Sequence, residues 1–225
     1  MTNSQPEQLA LFPLDVVLVP GLVLPLHIFE PRYRQLLRDV IATPEPEFGV
    51  VAHTGSIERS GAARWFQIGT SARVSEVDAL PDGRSDITTI GHRRFRVMSI
   101  VHDAPYLLAD VQWLDEDTES ANSDDECRRL ALRASALFTR YRGLLSDAEQ
   151  DDGIDDLPDD PHLLSYVLTA APVLTVTTRQ RLLECQTTSM RLTAACEVLG
   201  NEIDLLRVLP SVPLTAQQHT TAELN

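Results

Sequence analysis

The length of 225 residues and the apolar content of 43% are those of a globular protein that buries its core without disulfide or metal support. All 19 basic residues are arginine, and the missing lysine excludes a Walker A loop, which needs that side chain to reach the β- and γ-phosphates. The 3 cysteines are too few and too scattered for a disulfide framework. No apolar run approaches the ~20 residues of a membrane span, and the first ten residues lack signal-peptide features, so we expect a cytoplasmic protein.

The first predicted element is a β-hairpin. Asp15–Val19 is β-branched and apolar, Pro20 and Gly21 form a turn pair, and Leu22–Phe29 is a second apolar run with alternating side chains. Pro25 has no N–H to give to a strand ladder, which indicates an edge strand or a bulge at this point.

A helix is predicted directly after the hairpin. Pro31 stands at the position favoured for a first helical residue, and Glu30 would lie at the positive end of the helix, where a carboxylate is stabilising. Apolar side chains then recur at three- and four-residue spacing, at Tyr33, Leu36, Leu37, Val40 and Ile41. This spacing predicts a helix over residues 31–41.

The chain up to Trp113 continues as a predicted β-meander. Residues 53–64 are polar and contain glycine, so we expect a surface loop there. In the strand that follows, Trp65 falls on the polar face, where an exposed tryptophan is a candidate contact for a peptide or partner; cover by the neighbouring loop is the alternative. Residues 81–84 predict a tight turn. The other predicted strands are Phe48–Ala52, Ile87–Ile90, Phe95–Val101 and Tyr106–Trp113, with Trp113 in the core.

The most basic stretch is His92–Arg96. Base stacking on Phe95 between arginines would be one way to bind RNA. Phe95 shares a face with Val97 and is expected to point inward, and a net charge of −14 repels phosphate. We therefore favour a structural role for these arginines, paired with carboxylates such as Glu30 or Asp110.

From Cys127 onwards the apolar period becomes helical. The first predicted helix covers residues 127–145. Three more helices are predicted from their N-terminal signals: one starts at Asp160-Pro161, one at a capping box formed by Thr177 and Gln180, and one at a cap within residues 187–189. Two acidic segments, Asp115–Glu126 and Asp147–Asp160, read as solvated connectors. A calcium loop around Gly153 is disfavoured because the residues at two ligand positions, Ala148 and Gln150, are wrong for it.

No catalytic or metal site emerges from the residue pattern. Cys196 lies in an apolar stripe and reads as a core residue, and Cys127 follows three acidic residues that would blunt its nucleophilicity. His27 and Glu30 have a ligand-like spacing, but two further ligands are missing. We therefore predict no metal and no cofactor.

Several motifs follow one another along the chain: FPLDVVLVPGLVLPLHIFEPRY at 12–33, FGVV at 48–51, IGTSARVSEVDALPDGR at 68–84, IGHRRFRV at 90–97, PYLLADVQWL at 105–114, RQRLLEC at 179–185 and MRLTAACEVLGNEI at 190–203. Together they resemble the LON substrate-binding domain, the N-terminal domain of Lon proteases. The resemblance implies a PUA-like β-rich half, a helical half and a role in engaging protein substrates or partners, with no catalytic residues. The ATPase and the serine–lysine peptidase of Lon cannot be present, because this chain has no lysine.

The fold class expected is α+β: a PUA-like β-rich pseudo-barrel over residues 9–115, followed by a small α-helical bundle over residues 125–208, with residues 1–8 and 210–225 disordered. We expect a free-standing, non-catalytic recognition module that binds unfolded or extended protein segments, or a specific protein partner, and neither membrane nor nucleic acid. No oligomeric state is predicted. The alternatives are a small-molecule binder or enzyme with a pocket in the sheet and, less favoured, an RNA-binding protein. The candidate contacts lie in a groove between sheet and helices or on the edge strand, at Trp65, Pro25 and His27.

Overall fold

The computed structural model describes residues 7–57, 63–102, 105–115, 121–145, 157–171 and 174–208. Over these residues the strands are β1 (Glu7–Leu14), β2 (Val23–Ile28), β3 (Glu47–Ile57), β4 (Ala63–Trp65), β5 (Ile68–Ala79), β6 (Ser85–His102) and β7 (Leu107–Trp113). The helices are α1 (Pro31–Ile41), α2 (Ala121–Leu145), α3 (Pro161–Thr169), α4 (Val176–Leu183) and α5 (Thr188–Val208). None of the helices described is long and apolar enough to cross a bilayer.

Five of the strands close into a ring. The long strand β6 pairs with β5 and, over its C-terminal half, with β7; β7 pairs with β1, β1 runs parallel to β3, and β3 pairs with β5. Closure of this kind leaves no long free edge along the ring. Alternate side chains on one face of these strands form a core cluster of Leu9, Leu11, Val51, Phe95, Val97, Ala109 and Val111.

The predicted hairpin between Asp15–Val19 and Leu22–Phe29 is wrong. Residues 15–19 form no strand, and β2 pairs antiparallel with the first half of β6. The three residues of Val17–Val19 are all buried, and they contribute to two different core clusters. A segment that buries every side chain fills the space between layers and cannot show the one-sided alternation of a hairpin strand.

β2 and α1 form a second layer over the ring. Among the strands described, β2 pairs only with β6, so Pro25 lies on an edge strand as predicted. α1 begins at Pro31, and Glu30 holds the N-cap position without a side-chain cap, because its carboxylate instead pairs with the Arg32 guanidinium at 3.0 Å. The layer is joined to the ring by a cluster that includes Ala10, Phe12, Ile28, Tyr33, Leu36, Leu37, Val40, Phe48, Val50, Ala72 and Ile87.

The helices α2 to α5 pack around their own core. Two of their starts are confirmed: Asp160 Oδ1 accepts a hydrogen bond from the Leu163 N–H at 2.8 Å, and Thr187 Oγ1 accepts one from the Met190 N–H at 3.1 Å. Most residues of the predicted apolar stripes face inward, but Leu144, Leu145 and Leu163 are exposed. The buried members are Ala134, Phe138, Tyr141, Leu164, Leu168, Leu182, Leu192, Cys196, Leu199 and Ile203.

The predicted capping box at Thr177 and Gln180 is wrong. Thr175 is the N-cap residue of α4, and its hydroxyl accepts from the Thr178 N–H at 3.2 Å. Gln180 is buried, and its side-chain amide donates to the Ile68 carbonyl at 2.9 Å. A buried amide needs such a partner, and the partner comes from β5, which sequence spacing within the helix does not reveal.

The junction between the ring and the helices is both apolar and polar. Arg94 of β6 is 2% exposed and donates to the carbonyls of Leu183 at 2.9 Å and Cys185 at 2.6 Å. Arg191 of α5 is fully buried and donates to the carbonyls of Leu182 and Cys185, each at 3.3 Å. Guanidinium groups from two elements therefore hold the C-terminal end of α4, whose last carbonyls carry partial negative charge. The shared apolar cluster contains Val17, Val19, Ala52, Ile68, Tyr166 and Leu183.

The predicted loop at residues 53–64 differs in part from the structure, and most of the acidic segments and chain ends lie outside the described residues. The start of the predicted loop 53–64 is strand, because β3 continues to Ile57 and pairs with β4; residues 58–62 are outside the described residues. The acidic segments lie largely outside as well, at 116–120 and 146–156, and the end of the first one is already part of α2. Residues 1–6 and 209–225, which cover most of the two predicted disordered ends, are also outside.

Candidate functional site

A cleft of about 650 Å³ opens in the β-rich half. Its walls come from the ends of β1 and β2, the start of α1, the β3–β4 pair and the start of β7. The lining residues are Phe12, Pro13, Leu14, Leu26, His27, Ile28, Phe29, Glu30, Arg32, Tyr33, His53, Trp65, Tyr106 and Leu107. A concave site of this size, largely apolar and with a few polar groups, has the properties of a ligand or peptide site.

The cleft brings together two of the three residues that the sequence singles out. Trp65 and His27 both line it, although 38 positions separate them in the printed sequence. Pro25 lies instead in an adjoining depression of about 350 Å³. The cleft is not the predicted groove between sheet and helices, because no residue of α2 to α5 lines it.

Trp65 is partly buried and not fully exposed. The pairing of β4 with β3 places it opposite His53, and its ring packs against the core inside the strand ring. One side of the indole is thus fixed by the protein while the other faces the cleft. A side chain held in this way contributes contact area at little further cost in conformational entropy.

The floor of the cleft is a pair of stacked aromatic rings. The ring centroids of Phe12 and Tyr33 lie 3.9 Å apart with an interplanar angle of 17°. The Arg32 guanidinium lies 4.6 Å from the Tyr33 centroid, within range of a cation–π contact. Burial raises the pKa of the Tyr33 phenol, so this ring stays neutral; Phe12 covers one face of the ring and the Arg32 guanidinium the other.

Phe29 was missed at the level of the sequence. It lines the mouth of the cleft with 58% of its surface exposed, and its ring stacks on that of His27 at a centroid distance of 5.9 Å. The signal was present, because the inward alternation of Leu24, Leu26 and Ile28 places the odd-numbered residues on the opposite face. An exposed phenylalanine at a concave surface is a candidate contact residue.

Two histidines of the cleft are each fixed by a carboxylate. His27 Nδ1 lies 2.6 Å from Asp86 Oδ1, and His53 Nδ1 lies 2.9 Å from Asp15 Oδ1. An ionised carboxylate only accepts hydrogen bonds, so each imidazole carries its proton on Nδ1. The other ring nitrogen of His27, Nε2, lies 3.5 Å from Arg84 Nη1. These contacts fix the ring planes and give the polar rim of the cleft a defined shape.

Tyr106 stands at the edge of the cleft next to an acidic residue of α1. Its hydroxyl donates to Asp39 Oδ2 at 2.8 Å, and burial together with this hydrogen bond and the carboxylate charge raises the pKa of Tyr106 to about 12. An unfolded tyrosine loses its proton near pH ~10. Between these two pH values the unfolded state binds fewer protons than the folded state, so this group lowers the free energy of unfolding as the pH rises from 10 towards 12.

Replacing Asp39 with asparagine is expected to lower the pKa of Tyr106, because the amide keeps the hydrogen bond but removes the negative charge. The phenolate absorbance of wild type, Asp39→Asn and Tyr106→Phe measures this. The titration step at high pH that is missing in Tyr106→Phe belongs to Tyr106, and this step should move to lower pH in Asp39→Asn. An unchanged step in Asp39→Asn would contradict the assigned contact.

The residues that line the cleft offer no nucleophile for covalent catalysis of the serine or cysteine type. None of them is serine, threonine or cysteine. Burial raises the pKa of the thiols of Cys185 and Cys196, which opposes thiolate formation, and Cys127 is buried in α2. Within the described ranges, no three His, Cys, Asp or Glu side chains are placed to share a metal ion.

The basic stretch His92–Arg96 is engaged inside the protein. Phe95 is 0% exposed and belongs to the core within the ring, as predicted. Arg94 is buried at the junction with α4, and the Arg93 guanidinium lies 3.8 Å from the centroid of the Trp113 ring. Trp113 itself is only partly buried, at the rim of that core. The ring of Phe95 is therefore no surface platform for a base.

The partners predicted for these arginines differ from the observed ones. Arg94 donates to backbone carbonyls. The two carboxylates named as partners are bonded elsewhere: Glu30 accepts from Arg32 and Asp110 accepts from Ser99. A guanidinium group carries five donors, so carbonyls that lack an intrahelical partner at a helix end satisfy it as well as a carboxylate does.

Comparison with known proteins gives one family. The family model of the ATP-dependent protease La (LON) substrate-binding domain matches residues 8–201. Lon protease 2 of Herpetosiphon aurantiacus is 26% identical over 202 residues, which are 89% of this chain and 24% of that protein. Lon protease 2 of Myxococcus xanthus is 25% identical over 206 residues, 90% of this chain and 24% of that protein. The chain thus spans about a quarter of the length of these relatives.

Solved structures give the same fold. The Lon N-terminal domain protein from Xanthomonas campestris has a TM-score of 0.58 and 27% sequence identity, covering 91% of this chain and 99% of that chain. The N-terminal domain of the Mycobacterium avium complex Lon protease has a TM-score of 0.60 and 18% identity, covering 88% and 98%. The second likeness concerns the fold alone.

Proposed function

The chain belongs to the family of LON substrate-binding domains, and from this premise we propose that it recognises protein segments and performs no catalysis of its own. It corresponds to the substrate-binding part of the Lon relatives and not to their ATPase or peptidase parts. The observation that carries the proposal is the aromatic cleft, in which Trp65 and Phe29 flank the stacked floor of Phe12 and Tyr33.

The occupant is an unfolded or extended segment of another protein. A large apolar side chain of this segment enters the cleft and packs on the floor, which removes this side chain from water. The main chain of the segment runs along the edge of β2, whose outer side has no partner strand among the residues described. Pro25 cannot donate to such an added strand, so pairing is confined to the part of β2 next to the cleft.

Three further features belong to the proposal. The closed strand ring is of the PUA-like type. Residues 9–115 form the β-rich part of the protein, and residues 125–208 form its helical part. The location is cytoplasmic, which the free thiols of all three cysteines support. Binding needs no cofactor. Nucleic acid is not the partner, since Phe95 and Arg94 are buried and the net charge is −14.

A small molecule in the same cleft is the second candidate. The volume of about 650 Å³ lies within the range of small-molecule sites, and the fixed imidazoles of His27 and His53 supply directional polar contacts. A ligand of this kind would compete with an unfolded client for the cleft. Saturable binding of a screened compound to the cleft, without any binding of unfolded protein, would favour this second function.

Trp65→Ala and Phe29→Ala are each expected to weaken binding of an unfolded client by about tenfold, because aromatic side chains at a concave site carry a large share of contact energy. The client is a reduced, alkylated and labelled protein, and its fluorescence anisotropy gives the dissociation constant. Ile41→Ala is the matched control, since Ile41 is 47% exposed on α1 and does not line the cleft. Equal binding by all four proteins would refute the proposed site.

A further inference from the structure

The depression that adjoins the cleft differs from it in charge. It is lined by Pro25, Leu26, His27, Asp78, Asp86, Ile87 and Thr88. Leu26 and His27 line the cleft as well, so the two concavities are continuous across β2. Two carboxylates and no arginine line the depression.

The two carboxylates face each other across neighbouring strands. Asp78 of β5 and Asp86 of β6 are cross-strand partners, and His27 of β2 is the next partner in the same row. Like charges at opposite positions of a sheet are destabilising; Asp78 and Asp86 are both exposed, and Asp86 Oδ1 also lies 2.6 Å from His27 Nδ1. Arg84, the guanidinium nearest to His27, is itself paired with Asp82 at 2.6 Å. A cation on an incoming segment would relieve this repulsion.

We propose that the segment recognised is bipartite, with an apolar or aromatic anchor and a lysine or arginine close to it in sequence. The proposal rests on the proposed function and specifies its substrate class. The anchor occupies the cleft between Trp65 and Phe29, and the cation lies over Asp78 and Asp86. His27 stands between the two positions, where its ring contacts the main chain of the segment.

The spacing of the two parts follows from strand geometry. Asp78 lies on the second strand from β2, about 10 Å away across the sheet, and the segment reaches it by leaving the edge of β2 at Pro25, where pairing ends, and crossing the sheet at about 3.3 Å per residue. The cation is therefore expected about three residues from the anchor. The chain as a whole supports this preference, because its net charge of −14 attracts basic segments and raises their rate of association.

Binding of labelled peptides tests the inference. Each peptide carries a Phe-Leu-Phe anchor within a glycine–serine chain and, on either side of the anchor at about three residues, a Lys-Arg, Gln-Gln or Glu-Glu pair. In about 20 mM NaCl we expect the Lys-Arg peptides to bind about tenfold more tightly than the Glu-Glu peptides, and in about 300 mM NaCl this ratio should shrink. The Gln-Gln peptides should lie between them.

Two double variants separate local from global charge. Asp78→Asn/Asp86→Asn should reduce the Lys-Arg to Glu-Glu ratio to about twofold or less, since the local partner is removed. Asp125→Asn/Asp204→Asn changes the net charge equally on the exposed faces of α2 and α5 and should keep the ratio. A ratio near one in wild type, or an equal loss in both double variants, overturns the bipartite inference. Absence of binding by every peptide, the Gln-Gln form included, overturns the proposed function itself.

Discussion

Replacing Arg94 with methionine is expected to lower the free energy of unfolding by about 4 kcal/mol. The side chain is 2% exposed, and its guanidinium bonds the carbonyls of Leu183 and Cys185. Methionine has a similar length but donates no hydrogen bond, so the buried carbonyls at the end of α4 lose partners across the junction. Urea unfolding monitored by circular dichroism gives the change in free energy.

Arg93→Met is the matched control for this prediction. Arg93 is adjacent in sequence, and its guanidinium stacks on the ring of Trp113 at 3.8 Å. Arg93 and Trp113 are both half-buried, and loss of their cation–π contact costs about 1 to 2 kcal/mol. Equal effects of the two substitutions would show that Arg94 does not tie the helices to the strand ring. Arg94→Lys, which keeps the charge but not the fork of donors, should fall between wild type and Arg94→Met.

Gly91→Ala is expected to destabilise the protein by about 3 kcal/mol, as overpacking does in a region that cannot move. A methyl group at Gly91 would collide with the carbonyl group of Val19. That backbone is fixed on both sides, because the Gly91 N–H donates to the Leu22 carbonyl and the Gly21 N–H donates to the Gly91 carbonyl, each at 2.8 Å. The segment of residues 15–22 would have to move away from β6.

Gly143→Ala provides the comparison of opposite sign. Gly143 lies in α2, and a Cβ there meets no heavy atom within 4 Å. Alanine in an exposed helical position is more stable than glycine by up to about 1 kcal/mol. Thermal unfolding of the two variants should therefore shift in opposite directions. A neutral or stabilising Gly91→Ala would mean that Val19 does not pack against this point of β6.

Local signals were sufficient for elements that depend on local physics. Pro31 at the first turn of α1, Asp160 before Pro161 and Thr187 before α5 each act through groups a few residues away, and all three helix starts are confirmed. The turn between β5 and β6 is also confirmed, with Gly83 at a φ of +81°, which the sequence of residues 81–84 predicts.

Contacts between distant segments were beyond the reach of sequence patterns. Val17–Val19 has the composition of a hairpin strand, yet it fills the space between two cores, and the partner of β2 lies about sixty positions further along the chain. Gln180 has the spacing of a capping residue but bonds the Ile68 carbonyl. In both cases the local sequence preference is overridden by burial, because contacts with segments distant in sequence determine which side chains are buried.

The same distinction applies to the candidate site. Trp65 and His27 were singled out as separate residues, and the structure brings them into one cleft. The cleft itself, with its floor of Phe12 and Tyr33, depends on the position of α1 against β1, for which the sequence holds no pattern. Phe29 was within reach of the alternation rule, since it follows directly after β2 and is two residues beyond His27.

The fluorescence of Trp65 tests the central claim most directly. The chain contains 2 tryptophans, so Trp113→Phe leaves Trp65 as the sole reporter at the wall of the cleft, and Trp65→Phe leaves Trp113 as the control at the rim of the core. Titration with the reduced, alkylated client should give a saturable blue shift in Trp113→Phe, because the bound segment removes water from the indole, and no shift in Trp65→Phe. Saturable binding without a change in Trp65 emission would contradict the account, since the client would then occupy another surface.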